Sequence, residues 1–202
     1  MVQLREVECE GGVYYVAETA VVHPEAVIGA GTKIWHGARV MGGSAIGASC
    51  VIGANVGIEG ATIGDYCKVQ TGNTLYNGVV ASDYVFFGPN VTTTNDHNPR
   101  AFGDWDLTET HIGIGASIGA NATLIAGHDI GDLALVGAGS VVTRRVEAGT
   151  VVVGNPAEFL GWVDVSGHLI SRDRDHRPAS IDEMLRDPRA AVVRSLQKSR
   201  KE

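Results

Sequence analysis

Aromatic residues are scarce in this sequence, and long apolar runs are missing. Only 6% of its 202 residues are aromatic, which argues against a sandwich with a core of packed aromatic rings. No apolar run approaches the eighteen or more residues that a membrane span needs. The first ten residues, MVQLREVECE, are charged too early to form a secretory signal. These absences predict a protein that does not associate with membranes.

Cysteine and positive charge are also limited. The cysteines, Cys9, Cys50 and Cys67, show no metal-binding spacing and leave one thiol without a partner, so a reducing, cytoplasmic location is expected. The formal net charge of −7 argues against general nucleic-acid binding, which requires a basic surface. An anionic ligand must therefore be held by a local cluster of basic groups.

Glycine is abundant, at 27 residues, and an aliphatic residue returns every six positions. Neither the 3.6-residue period of a helix nor the two-residue period of a strand explains this spacing. The residue four positions later is usually small, as in Ala38 and Cys50. The pattern predicts a prism of short parallel strands, with three six-residue sides per coil and the aliphatic and small residues inside. The aliphatic positions are Val22, Ile28, Ile34, Val40, Ile46, Ile52 and Ile58, then Ile112, Ile118, Leu124, Ile130, Val136 and Val142.

The stretch GPNVTTTNDHNPRAFGDWDLTETH, residues 88–111, interrupts the repeat. From Thr93 to Ile112 the step is nineteen residues, which is not a multiple of six, so the chain is expected to leave the prism here as a loop. The N-terminal VECEGGVYYV predicts a hairpin, and the C-terminal segment has helical composition. The predicted organisation is a hairpin cap at 1–21, a prism at 22–163 with a loop at 94–111, and a partly helical or disordered extension at 164–202.

Several motifs resemble those of a known family. LVGAGSVVTRRV followed by VVVGNPAEFLGW resembles the late coils of hexapeptide-repeat acyltransferases. KIWH, IGDYCKVQ and FFGPNVTTTND with NPRA resemble, within that family, the nucleotide-sugar 3-amino N-acetyltransferases. The resemblance implies a left-handed parallel β-helix, acetyl-CoA as co-substrate without a metal, and a homotrimer with active sites between subunits. It also implies a UDP- or dTDP-linked amino sugar as acceptor, in surface-glycan or glycosylated natural-product biosynthesis.

Two loop residues are candidates for catalysis. Acetyl transfer to an amine needs an unprotonated nitrogen close to the thioester and a donor for the oxyanion. His97 is suited to accept a proton near neutral pH, and O-acetyltransferases of this fold carry a histidine one residue further from a similar GPNV segment. Asn95 stands where the resembling N-acetyltransferases have asparagine, and its amide can orient the amine or bond the oxyanion. Both residues stay candidates for the group nearest the reacting nitrogen.

Five residues are candidates for binding the acceptor. Asp96 can orient a neighbouring base or bind an ammonium group, and Arg100 can bind a diphosphate or a sugar carboxylate in bidentate fashion. The resemblance places Trp35 and His36 beside the nucleotide-sugar cleft and assigns Gln70 to the acceptor, although the family's paired asparagines do not follow it here. Turn formation, a loop salt bridge and subunit packing are the alternative roles.

The resemblance also assigns the coenzyme to the late coils, where backbone amides and basic side chains meet it. On this basis Ala138, Arg144, Arg145 and Pro156 are candidates for coenzyme binding. Solvated surface positions are the alternative for the two arginines.

Three other functions are weighed. An O-acetyltransferase would use His97 as its base on a sugar hydroxyl. A γ-type carbonic anhydrase would need His97, His111 and His128 as metal ligands, but their spacing does not match that family, and His128 is interpreted as an interior or interface residue. A non-catalytic scaffold would leave the polar loop without a purpose.

Overall fold

The computed structural model describes residues 4–199 and shows a parallel β-helix of about eight turns followed by two short helices. The predicted fold is therefore confirmed. The strands form three sheets, one for each side of the prism, with eleven, seven and five strands. The strands are β1 (Leu4–Cys9), β2 (Gly12–Ala17), β3 (Val21–Val22), β4 (Val27–Ile28), β5 (Lys33–Ile34), β6 (Arg39–Val40), β7 (Ala45–Ile46), β8 (Val51–Ile52), β9 (Gly57–Glu59), β10 (Thr62–Ile63), β11 (Lys68–Val69), β12 (Thr74–Tyr76), β13 (Val79–Ala81), β14 (Phe86–Phe87), β15 (Thr92–Thr93), β16 (Thr110–Ile112), β17 (Ser117–Ile118), β18 (Thr123–Leu124), β19 (Leu135–Val136), β20 (Val141–Val142), β21 (Thr150–Val153), β22 (Glu158–Val163) and β23 (Leu169–Ser171).

The six-residue repeat forms the core. On the eleven-stranded sheet, Ile34 pairs with Ile52, and further along Phe87 pairs with Ile118. These side chains are fully buried and stack from coil to coil. The small position is also interior: Ala38 is fully buried. The prism is therefore held by columns of apolar side chains that together form one continuous core along the stack of coils.

Several corners of the prism use the left-handed backbone region at residues other than glycine. Asn55, Asn90 and Asn121 have φ values of 56–58°, which asparagine tolerates better than other side chains. Tyr66 and Tyr84 also occupy this region, and their rings stack with centroids 5.0 Å apart. The packing of these rings offsets part of the cost of their backbone conformation.

The loop inserts into the prism without disturbing strand pairing. β13 pairs with β16 in parallel, with Val79 opposite Thr110. These two residues are 31 positions apart in sequence, whereas paired residues in most other coils are 18 positions apart. The loop itself runs from 94 to 109, between β15 and β16. One earlier coil is one residue shorter than the others. Ala45 pairs with Thr62, 17 residues further along the chain, as the five-residue step from Ile58 to Ile63 predicts.

The N-terminal hairpin consists of β1 and β2, which pair in an antiparallel way. β2 also pairs in parallel with β5, with Tyr15 opposite Lys33 and Val16 opposite Ile34. The hairpin therefore supplies the first two strands of the largest sheet, and the stack begins before residue 22.

The C-terminal segment folds back onto the prism. Helices α1 (Ala179–Arg186) and α2 (Pro188–Ser199) follow β23. Ile181 and Met184 of α1 and Ala191 of α2 pack with Leu133 and Trp162 in a second apolar cluster. Within 4–199, neither helix is long and apolar enough to cross a membrane.

Candidate active site

The base of the loop is fixed by two hydrogen bonds, one to the next coil and one between the two arms of the loop. The Ala126 N–H donates to Thr94 Oγ1 at 2.9 Å, and the Thr108 N–H donates to the carbonyl of Asn95 at 2.9 Å. The second bond joins the outgoing and returning arms of the loop. Asn95 is therefore held at a fixed place beside the prism, although residues 97–107 of the loop are exposed.

His97 rests on the corner of the coil that contains Gly127. Gly127 has φ +78°, and a Cβ at this position would lie 2.9 Å from His97 Nε2 and 2.9 Å from Thr108 Cγ2. Side-chain carbons essentially never approach other atoms that closely. The corner therefore needs glycine for two reasons, its backbone conformation and the close approach of the loop.

The interior position predicted for His128 is wrong, whereas an interface position stays a prediction for this residue. It does not lie inside the prism; Ala126 is fully buried at this corner instead, and His128 is half-buried beside the loop. Its ring meets the His97 ring edge-on, with centroids 5.6 Å apart. Burial lowers the pKa of His128, and the nearby His97 lowers it further. The sequence signal was the presence of a titratable ring where the repeat calls for a small or aliphatic residue.

Asn95, Asp96 and Arg100 line a common recess of about 410 Å³ with Trp105. Asp96 Oδ1 accepts a hydrogen bond from the Asn98 N–H at 2.8 Å, which leaves its other oxygen available. Arg100 is exposed and donates to the carbonyl of its neighbour, Pro99. The structure thus brings a carboxamide, a carboxylate and a guanidinium to one recess.

Trp35, His36 and Gln70 lie elsewhere on the same chain. Trp35 follows β5, which is three strands away from β14 in the largest sheet, so at roughly 4.8 Å per strand it is at least about 14 Å from the coil of Asn95. His36 Nδ1 lies 3.1 Å from Thr19 Oγ1. Gln70 lies one coil before Asn95 and on a different corner. A single chain therefore does not bring these three candidates to the recess of the loop.

The histidines do not assemble a metal site. His111 Nε2 lies 3.4 Å from Glu109 Oε2, on the returning arm of the loop. No group of three histidine, cysteine, aspartate or glutamate side chains in the described part of the chain could hold a metal ion. The geometry therefore offers no support for a γ-type carbonic anhydrase.

The candidate coenzyme residues occupy the late coils. Arg144 and Arg145 line a cleft of about 480 Å³, and Arg144 Nη2 lies 3.1 Å from Glu158 Oε1. Ala138 and Pro156 are exposed on the same coils, but they do not line this cleft. A coenzyme that uses Arg144 must compete with its carboxylate partner, whereas Arg145 has no carboxylate within 4.0 Å among residues 4–199.

Two more arginines reach the cleft from the C-terminal extension. Arg174 lies over the ring of Phe159, at 5.3 Å from its centroid, and Arg177 lies over Trp162 at 5.4 Å. Arg177 is also 3.1 Å from Asp182. The sequence interpretation missed both, because the extension has no repeat from which its path could be inferred. Four guanidinium groups and two glutamates line the cleft, and Asp182 adds a third carboxylate beside Arg177. The excess of guanidinium groups makes the cleft suited to a phosphate-bearing ligand.

Comparison with known proteins identifies the repeats. Residues 25–60 match the bacterial transferase hexapeptide family (six repeats), and residues 45–77 and 110–144 match the hexapeptide repeat of succinyl-transferase. The bifunctional protein GlmU of Streptococcus uberis is 32% identical over 136 residues, which are 67% of this chain and 28% of that protein. The dTDP-3-amino-3,6-dideoxy-alpha-D-galactopyranose 3-N-acetyltransferase of Aneurinibacillus thermoaerophilus is 48% identical over 65 residues, 32% of this chain and 31% of that protein.

The chain thus spans about a third or less of the length of these curated relatives. Among solved structures, AntD, an N-acyltransferase from Bacillus cereus in complex with dTDP and coenzyme A, superposes with a TM-score of 0.51. The sequence identity is 16%, over 80% of this chain and 82% of that one, and this likeness shows a shared fold. The repeats of this chain are therefore hexapeptide repeats of the bacterial transferase type, and its predicted resemblance to the hexapeptide-repeat acyltransferases is confirmed.

Proposed function

We propose that the protein transfers an acetyl group from acetyl-CoA to the amino group of a UDP- or dTDP-linked amino sugar. The observation that carries the proposal is the seat of the loop, which holds His97 against a coil corner while Asn95, Asp96 and Arg100 line the adjacent recess. The 48% identity to a dTDP-amino-sugar N-acetyltransferase over 65 residues supports the same acceptor class. The free thiols of the described cysteines fit a cytoplasmic location.

The recess suits the acceptor chemically. The Asp96 carboxylate can bind the sugar nitrogen while it is an ammonium group, and the Arg100 guanidinium can bind the diphosphate in bidentate fashion. The Asn95 amide can donate to the oxyanion that develops on the thioester carbonyl. His97 can accept the proton that the nitrogen must lose before it attacks.

The coenzyme belongs, in this proposal, to the arginine-lined cleft of the late coils. Arg144 and Arg145 would meet its phosphates, with Ala138 and Pro156 at the neighbouring edge of the prism. Acetyl-CoA supplies the activated acyl group, and no metal takes part. The active sites would lie between subunits of a homotrimer, as the resemblance to the hexapeptide-repeat acyltransferases implies.

The acceptor class is tested by measuring release of coenzyme thiol from acetyl-CoA in the presence of UDP- and dTDP-linked amino sugars. The matched controls are the same nucleotide sugars with a hydroxyl in place of the amine. Thiol release with amino sugars and not with their hydroxyl counterparts is expected. Release with the hydroxyl sugars alone would show that the protein is an O-acetyltransferase.

O-acetylation is the second candidate, and the firm seat of His97 is the observation that favours it. A hydroxyl has no free-base form at neutral pH, so it needs a base in the attacking step, whereas an amine becomes nucleophilic as pH rises. His97→Asn should therefore leave N-acetylation that recovers at high pH, while Asn95→Ala should lower kcat at every pH. Near-total loss in His97→Asn at all pH values would favour the O-acetyltransferase.

A further inference from the structure

His97 and His128 approach each other from two separate parts of the chain. His97 comes from the exposed loop, and His128 comes from the prism itself. Their rings meet edge-on at 75° with centroids 5.6 Å apart. The His97 ring also lies close to the backbone of Gly127, because a Cβ built there would be 2.9 Å from His97 Nε2. The loop ring therefore lies against the corner at which His128 stands.

The charges around His128 favour its neutral form. Burial has the largest effect and lowers the pKa of His128, and the neighbouring His97 lowers this pKa further. The Asp129 carboxylate raises it, but the net shift is downward. The Asp129 carboxylate is also the acceptor for the His111 N–H, at 2.8 Å, so part of its charge is directed away from the pair. Two imidazoles in contact do not both carry a proton easily, because like charges at this distance repel.

We propose that His97 and His128 act together as a proton-accepting pair that carries one proton at a time, with His128 as the fixed positioning residue. His97, on the loop, accepts the proton from the acceptor, and the edge-on contact with His128 keeps the His97 ring oriented. This inference rests on the proposed function only in taking the sugar amine as the source of the proton. It extends the proposed function by adding His128 to His97, which was the single base proposed above.

The acetyl-transfer step balances as follows in this site. The sugar ammonium gives one proton to the imidazole pair and becomes an amine. The amine nitrogen forms a bond to the thioester carbonyl carbon, and the carbon–sulfur bond breaks as the coenzyme thiolate leaves. The thiolate takes the second nitrogen-bound proton, and the pair returns its proton to water before the next turnover.

The pair is tested first without substrate, by following the His128 imidazole by NMR during a pH titration of the whole protein. Removing His97 as His97→Gln should move the His128 midpoint to higher pH, because the repulsion is removed. The matched control is His23→Gln, since His23 lies in an early coil, beside Glu25, far from the pair. An unchanged His128 midpoint in His97→Gln would overturn the pair, whatever reaction the protein catalyses.

The positioning role is tested by kinetics. His128→Gln should lower kcat about 10- to 100-fold, the size of effect that a misplaced reacting group has, with little change in the KM for acetyl-CoA. It should also move the acid limb of the pH profile, which a packing role would not do. His128→Phe keeps an aromatic edge but cannot take a proton, so it should not rescue the rate. Full rescue by phenylalanine, or an unchanged pH profile in His128→Gln, would overturn the proton-accepting pair. Failure of the unaltered protein to release thiol would overturn only the proposed function, since the titration is independent of it.

Discussion

Replacing Gly127 by alanine is expected to lower kcat/KM about tenfold through a displacement of the loop that carries His97. The new methyl group would lie 2.9 Å from His97 Nε2 and from Thr108 Cγ2, whereas ordinary contacts begin at 3.4 Å. At least one side must therefore move by about 0.5 Å. Since a misplacement of about 1 Å can cost 100-fold in rate, half that distance gives a loss of roughly tenfold.

Gly43→Ala is the matched control for this variant. Gly43 has φ +77°, almost the same as the +78° of Gly127, but nothing lies within 4 Å of a Cβ built on it. Both variants lose about 1 kcal/mol from the unfavourable backbone conformation, which lowers Tm by about 2–4 °C in a chain of this size. The two variants therefore share their strain and differ in their contact with the loop.

The measurements are Tm by calorimetry and kcat/KM by thiol release for both variants. A similar fall in Tm and a loss of activity confined to Gly127→Ala are expected. If both variants kept the activity of the unaltered protein, the close contact between the loop and Gly127 would be refuted. If both variants lost activity to the same extent, backbone strain, and not the position of His97, would limit the reaction.

Three further predictions concern stability. Phe87→Ala should lower the free energy of unfolding by about 3–5 kcal/mol in a denaturant titration, since the ring is fully buried in the interior column; a loss under 1 kcal/mol would contradict this packing. Arg189→Ala should cost about 1 kcal/mol, since its guanidinium lies 2.7 Å from the Asp83 carboxylate, while the exposed Arg186→Ala should be neutral. The protein should also become less stable as pH falls through about 6.5, because His128, with its pKa lowered by burial and by the neighbouring imidazole, takes a proton more readily when unfolded. His128→Gln should flatten this dependence, and an equally steep curve in that variant would assign it to other groups.

The fold was predictable because its rule is strictly periodic. Ile34, Ile52 and Ile118 follow a six-residue step that neither helices nor ordinary strands produce, so their interior position could be inferred from spacing alone. The same rule failed at His128, because it assigns an inward position to that residue while Ala126 is the fully buried one at this corner. A periodic pattern describes the average coil and does not reveal which coil departs from it.

The candidate site was predictable in composition and not in geometry. Asn95, Asp96 and Arg100 are close in sequence, so their common recess follows from the loop that carries them. Arg174 comes from a segment without periodicity, and the stacking on Phe159 that holds it involves residues fifteen positions apart with no pattern to join them. Such contacts depend on how the extension folds back, which local spacing does not determine.

The C-terminal helices change how the prism should come apart. In a stack of repeats each coil contacts only its neighbours, so the end coils can open one at a time. Here α2 joins the last part of the chain to Asp83 and Tyr84 through Arg189, several coils away from the last one, and α1 covers the corner at Gly149. The late coils cannot then unzip from their free end without first releasing both helices. The coils that carry the loop's seat and the arginine cleft should accordingly unfold as one cooperative unit.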